Sequence, residues 1–181
     1  MSTIRGSTGV TFLLDEAEKG VDTLLKAREI CMNAFGKDIS EKAICIFEPG
    51  TSKYDALEQM LDAIVSTGVV TDREAFRQAL FEREAIRSTG FKGIAIPHVR
   101  IDEILEPTVG IGISKEGIDF ESLDSEPVTI VVLFTMPSGS DKEYLGFLAQ
   151  VMMALRTGDF CEKLALCNTP QEVLAVLEQE D

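Results

Sequence analysis

The chain has 181 residues and a formal charge of −14, a length that suits one domain with an appendage. Nucleic acids and anionic membrane surfaces are bound through clustered Lys and Arg that displace counterions, and no basic run exists here, so both are excluded as partners. Apolar residues make up 45% of the chain, with no Trp and 2 Tyr, which predicts a globular fold with an aliphatic core supplemented by Phe.

The four cysteines, Cys31, Cys45, Cys161 and Cys167, form no C-x-x-C pair, and with one histidine they give no zinc pattern. Each lies in an apolar or helical pattern, where a free thiol packs as a small hydrophobe in a reduced compartment. No signal peptide is visible. The longest apolar run, Val128 to Met136, is far too short to span a bilayer. The expectation is a cytoplasmic protein with no direct membrane insertion.

In chain order, residues 1 to about 10 read as a loose terminus. Leu14, Ala17, Val21, Leu24, Cys31 and Phe35 then fall on one helical stripe, interrupted by Arg28, and Gly36 closes the helix. "GKDISEK" follows as a linker. Residues 1–40 therefore form an N-terminal helical extension ahead of a main domain at 41–181. Its stripe has two partners open to it: its own domain, or a second copy of the chain in a homodimer.

Four capping boxes punctuate the main domain: Ser52…Asp55, Thr71…Glu74, Ser140…Glu143 and Thr169…Glu172. In each, a hydroxyl followed three residues later by an acid is set to satisfy free N–H groups at a helix start. The first helix carries Leu57, Leu61, Ile64 and Val65 inward. The second carries Phe76, Ala79 and Leu80 and runs to about Ile86. The third carries Leu145, Leu148, Val151, Met152 and Leu155. A short helix over Phe160–Leu166 and a last one burying Val173, Leu174 and Leu177 follow. Between them lie strands. "AICIF" (43–47) is short, and "GIAI" (93–96) is expected to end at Pro97, which has no N–H to give a ladder. "TVGIGI" (108–113) alternates, so its Gly face meets something close. "VTIVVLFT" (128–135) is apolar on both faces, as a central covered strand is. The order predicts an α/β (α+β) fold, a three-layer α/β/α sandwich on a small mixed β-sheet, plus the N-terminal helix.

The only histidine, His98, stands in "STGFKGIAIPHVR" (88–100). Pro97 should leave it displayed at a strand end, on a rigid scaffold within reach of solvent. Upstream, Ser88 and Thr89 offer hydroxyls, and Gly93 presents no side chain to an approaching group. Arg83 and Arg87 lie near the end of the preceding helix, and either guanidinium is able to grip two phosphate oxygens. A neutral imidazole among such donors suits phosphoryl transfer.

From about Glu41 onward the sequence resembles the fructose/mannitol-type (type 2) IIA domain of the bacterial phosphoenolpyruvate-dependent sugar phosphotransferase system, a group that includes nitrogen-regulatory IIA proteins. "RE" before "STG" and "GIAIPH" is the most specific part, and "GIDFESLDSEPVTIVVLFTMPSGSDKEYLGFLAQVMMAL" and "TPQEVLAVL" also match. The resemblance implies a phosphohistidine carrier. His98 would take a phosphoryl group from an HPr-like phosphocarrier protein and pass it to a transporter IIB domain, or use it as a signal to a regulatory target. It places the active-site arginine on Arg83 and implies no metal or organic cofactor, since transfer runs between histidines.

Two departures stand out. Where the family carries a second histidine after the central strand, this chain has Tyr144, which donates one hydrogen bond but stays neutral; the other reading of Tyr144 packs its ring on the core. The loop "STGFKG" is one residue shorter than usual and contains Lys92, either beside the phosphate or solvated. Ser88, Thr89 and Tyr144 are the expected phosphoryl-binding hydroxyls. The alternative function is a non-catalytic regulatory module of the same fold that binds a partner without phosphoryl flux.

Overall fold

The computed structural model describes residues 39–139, 149, 155 and 159–178. The extension at 1–38 and the helix expected from Ser140, with Tyr144 on it, lie outside the described residues.

Ser40 caps a short 3-10 turn, Glu41–Ala43, that feeds strand β1, Ile44–Ile46. Helix α1 spans Lys53–Ser66 and begins as expected: Ser52 Oγ accepts from the Asp55 N–H at 3.1 Å and donates to the Asp55 carboxylate at 2.7 Å. Leu57, Met60, Leu61 and Ile64 form its buried stripe. Helix α2, Arg73–Ile86, corrects one expectation. Its cap is Asp72, whose carboxylate accepts from the N–H groups of Glu74 and Ala75 at 2.9 and 3.0 Å. Thr71 is committed elsewhere, since its N–H and hydroxyl both donate to the Glu103 carbonyl, at 2.9 and 3.1 Å. A carboxylate also suits the positive end of the helix dipole better than a hydroxyl does.

The strands that follow are β2 (Gly90–Phe91), β3 (Ile94–Ala95), β4 (His98–Ile101), β5 (Thr108–Ile118) and β6 (Val128–Pro137), and helices α3 (Phe160–Leu166) and α4 (Pro170–Glu178) complete the described chain. They build a six-stranded mixed sheet in the order β1-β5-β6-β3-β2, with β4 also paired to β6. The fold is the expected mixed α/β arrangement. On one face Ala95, Val99, Val131 and Leu133 pack with the stripes of α1 and α2. On the other, Ile96, Ile130, Val132 and Phe134 pack with α3, α4 and Leu155. Strand β6 is therefore covered on both sides, as its unbroken apolar run requires.

The glycine face of β5 is filled by neighbours. A Cβ on Gly112 would lie 2.4 Å from Phe47 Cζ and 2.8 Å from Met60 Sδ, so the missing side chain is what lets the Phe47 ring and α1 close onto the sheet.

Pro97 lies in the break that ends β3 at Ala95, as the sequence predicts, but pairing with β6 resumes beyond it. Ile94 and Ala95 pair in parallel with Ile130 and Val131, and after the gap His98 and Val99 pair with Phe134 and Thr135 in the same register. The Pro97 carbonyl still accepts from the Phe134 N–H at 3.0 Å. A proline costs the ladder one donor, and its free carbonyl keeps the strand alongside β6. His98 thus opens a strand stitched to the centre of the sheet.

Gly112→Ala should destabilise the fold by about 1–3 kcal/mol through overpacking, lowering Tm by roughly 3–10 °C. Thermal unfolding followed by circular dichroism measures this, and adding Phe47→Leu should return part of the loss.

Candidate active site

Among the described residues, two hydrogen bonds hold the His98 ring. Nδ1 lies 2.8 Å from the Ile96 carbonyl oxygen, which only accepts, so Nδ1 carries the proton. Nε2 then holds the lone pair, and it accepts from Arg83 Nε–H at 3.1 Å. Both contacts select the same neutral tautomer. The Ile96 carbonyl is available because the Ile96–Pro97 segment leaves the ladder between β3 and β4.

Of the two arginines open to this role, Arg83 reaches the imidazole. Arg87 serves through its backbone, its carbonyl accepting from Arg83 Nη1 at 3.3 Å, while its side chain is exposed. Arg83 sits in the last turn of α2, so the guanidinium is held at its Nε by the ring and at Nη1 by the helix end.

Ser88 and Thr89 lie in the loop after α2 as expected, and their hydroxyl protons are engaged within the fold. Ser88 Oγ donates to the Phe120 carbonyl at 2.7 Å and accepts from the Gly90 N–H at 3.2 Å. Thr89 gives its N–H and its hydroxyl to the two oxygens of Glu84, at 2.8 and 2.9 Å. These residues shape the loop. Gly90 belongs to the same packing, since a Cβ there would lie 2.5 Å from Ser122 Oγ.

Two residues that the sequence reading passed over complete the surroundings. Glu84 is only 4% exposed, and Lys53 Nζ lies 3.3 Å from its Oε1 and 2.9 Å from Glu121 Oε2. The signal for Glu84 was present: Phe76, Leu80 and Glu84 form one buried stripe of α2, so an acid occupies a position where helical periodicity calls for a hydrophobe. Lys53 opens α1, where the helix dipole disfavours a cation.

The short loop closes as a two-residue hairpin. Lys92 and Gly93 both have positive φ, 53° and 77°, the pairing that joins β2 to β3 with the native twist. Lys92 takes this conformation while its N–H donates to Asp124 Oδ2 at 2.7 Å. Its ammonium lies 5.4 Å above the Phe91 ring on the exposed surface, which is the solvated reading of Lys92.

The remaining electrostatics agree. Burial pulls the His98 pKa below its ordinary 6.5; Arg83 adds to the fall, while the Ile96 carbonyl and Glu84 oppose it. The imidazole is therefore neutral and nucleophilic at pH 7. Burial pushes the Cys45 thiol up to about 11 and raises that of Cys167, as inert packed cysteines require. Among the described residues no helix is long and apolar enough to cross a membrane.

A neutral imidazole bonded to a guanidinium thus stands on a mixed sheet layered by helices. Residues 39–180 match the family described as phosphoenolpyruvate-dependent sugar phosphotransferase system, EIIA 2, and the chain belongs to that family. It is similar to a fructose-specific EIIA component of Haloferax volcanii, 36% identical over 137 residues that cover 75% of this chain and 89% of that one. Its fold matches the nitrogen regulatory protein IIA-Ntr of Neisseria meningitidis, with a TM-score of 0.67 at 24% identity over 77% of this chain and 95% of that one. It also matches the structure of a complex of enzyme IIA-mannitol and phosphorylated enzyme IIB-mannitol from Escherichia coli, with a TM-score of 0.63 at 22% identity over 77% and 96%.

The sign of the His98 shift sets a pH dependence. With the folded value below the unfolded 6.5, the unfolded chain binds a proton first as pH falls. Stability from this group is thus intact above pH 6.5 and declines as pH drops towards the folded value. NMR titration of the ring should give a midpoint below 6.5, and His98→Gln should flatten that part of the stability–pH curve.

Proposed function

We propose that His98 Nε2 accepts the phosphoryl group from the phosphohistidine of an HPr-like carrier and passes it on to a IIB-type domain or a regulatory target. The observation that carries this reading is the pair of bonds on the ring: Ile96 holds the proton on Nδ1 and Arg83 waits at Nε2. The IIB partner is supported by the mannitol relative, whose structure is that of a complex with phosphorylated IIB.

In the transfer the Nε2 lone pair attacks phosphorus, the N–P bond of the donor breaks, and its electron pair returns to the donor ring. The Nδ1 proton stays in place. The new phosphohistidine ring carries more positive charge, and its bond to the Ile96 carbonyl becomes charge-assisted. At rest Arg83 Nε–H occupies the lone pair. Incoming phosphoryl oxygens compete for that guanidinium as better acceptors, so the approaching group uncovers its own nucleophile. Arg83 then offsets charge spread over the transferring oxygens. Glu84 fixes Thr89, and Phe120 fixes Ser88, so these two hydroxyl residues hold the loop. Tyr144 supplies a neutral hydroxyl where a second histidine would bring a cation. The chain works in the cytoplasm as a carrier that neither contacts sugar nor enters the bilayer.

Incubation with phosphoenolpyruvate, the general transferase and HPr should place an acid-labile, base-stable phosphate on the wild-type chain and none on His98→Ala. Arg83→Ala should slow labelling about 100-fold, the scale of losing an oriented donor at a developing charge. A wild-type chain that takes no label where an ordinary IIA does would instead mark a partner-binding module without flux.

With the same donor, Tyr144→His should speed transfer if residue 144 faces the phosphoryl group. An unchanged rate in rapid-quench measurements would show that the Tyr144 ring is a packing residue.

A further inference from the structure

Lys53 and Glu84 pose a problem that the transfer reaction alone does not answer. A carboxylate directly follows the active-site arginine in sequence, and it is buried where a dianionic group must arrive. Glu84 is also near enough to His98 to act on the charge of its ring. Burying such an acid is costly unless it is paired and hydrogen-bonded. Here it is both: Lys53 Nζ is 3.3 Å from Oε1, and the two Thr89 donors complete the set. Lys53 in turn sits at the first position of α1, against the helix dipole, with its side chain only 17% exposed and its ammonium 5.2 Å over the Phe120 ring. Phe120 is the residue whose carbonyl holds Ser88. One cation thus touches both anchors of the 88–89 loop, and it departs from local helix preference to do so.

We propose that Lys53 and Glu84 act together as the positioning pair of the phosphoryl site: Glu84 clamps the Ser88–Thr89 loop beside His98, and Lys53 cancels the clamp's charge so that it does not repel the phosphoryl group. This rests on the reading of His98 as acceptor. A carboxylate binds two donors at once, which an amide oxygen does less well, so the clamp is charged. A charged clamp a few residues from a phosphoryl acceptor works only with its counterion. A cavity of about 320 Å³ lined by Lys53, Tyr54, Phe81, Glu84, Ser88 and Glu121 opens onto the pair, which makes it reachable by a small organic cation.

The test is single-turnover transfer from phosphorylated HPr to the full chain, for wild type, Lys53→Met, Glu84→Gln and the double variant, between about pH 5.5 and 8.5, a window around the imidazole range. The charged or titratable groups near Glu84 are Lys53 from α1, Glu121 from the β5–β6 loop, His98 from β4 and Arg83 on its own helix, with Tyr54 across the cavity. Lys53→Met should lower the transfer rate about 10- to 100-fold, the scale of a misplaced catalytic loop, with half-saturation by the donor little changed. Glu84→Gln should show a smaller, pH-flat loss, and adding it to Lys53→Met should raise the rate towards that of Glu84→Gln alone. Ethylammonium should rescue Lys53→Ala through the cavity; this arm also decides the matter if the Met variant does not fold. Wild-type transfer with an unaffected Lys53→Met, purely additive variants, or no rescue of Lys53→Ala by ethylammonium overturns the positioning pair and leaves the acceptor reading standing. A wild type that takes no phosphoryl group overturns both.

Discussion

The bond between the His98 Nδ1–H and the Ile96 carbonyl is the constraint on which the site depends. It is only 2.8 Å long and links residues two apart, so it exists only where the backbone between them leaves the sheet. Pro97 supplies that departure. The same proline keeps its carbonyl on β6, so the strand resumes in register at His98. A single residue therefore frees one carbonyl to choose the tautomer and holds the ring on the framework.

The other half of the site comes from α2, whose last turn delivers two adjacent residues with opposite tasks. Arg83 reaches the imidazole, while Glu84 continues the buried stripe of Phe76 and Leu80. Consecutive helical residues diverge by about 100° around the axis, so one turn presents a cation to the imidazole and an anion to the loop beside it. Burial sets the charge state of the ring, and the loop hydroxyls are spent on internal bonds. These bonds order the loop beside the ring.

Much of this was legible in the sequence because single elements carried unambiguous physical signals. The run at 128–135 is apolar at both parities, which only a strand covered on two faces explains, and β6 is that strand. The alternation of Gly with Val and Ile at 109–113 foretold close contact, found at Phe47 and Met60. The "ERE…STG…PH" spacing brought Arg83 to His98. What failed was decided by distant partners. Thr71 and Asp72 are both acceptable caps, and the Glu103 carbonyl, brought near by tertiary packing, claimed Thr71. The Lys92–Gly93 turn lacks the usual Asn-Gly or Asp-Gly signal, and Asp124, far along the chain, holds the Lys92 N–H. Pro97 does close β3, and what local rules overlooked is its remaining acceptor, which lets pairing with β6 resume at His98.

Strand β6 is walled in by apolar side chains on both faces, and β4 is laced to it from His98 to Ile101. In the proposed relay, an acceptor mounted on such a beam stays where the sheet sets it. The tolerance for misalignment would then fall to the proteins that meet it, each aligning itself to the same nitrogen.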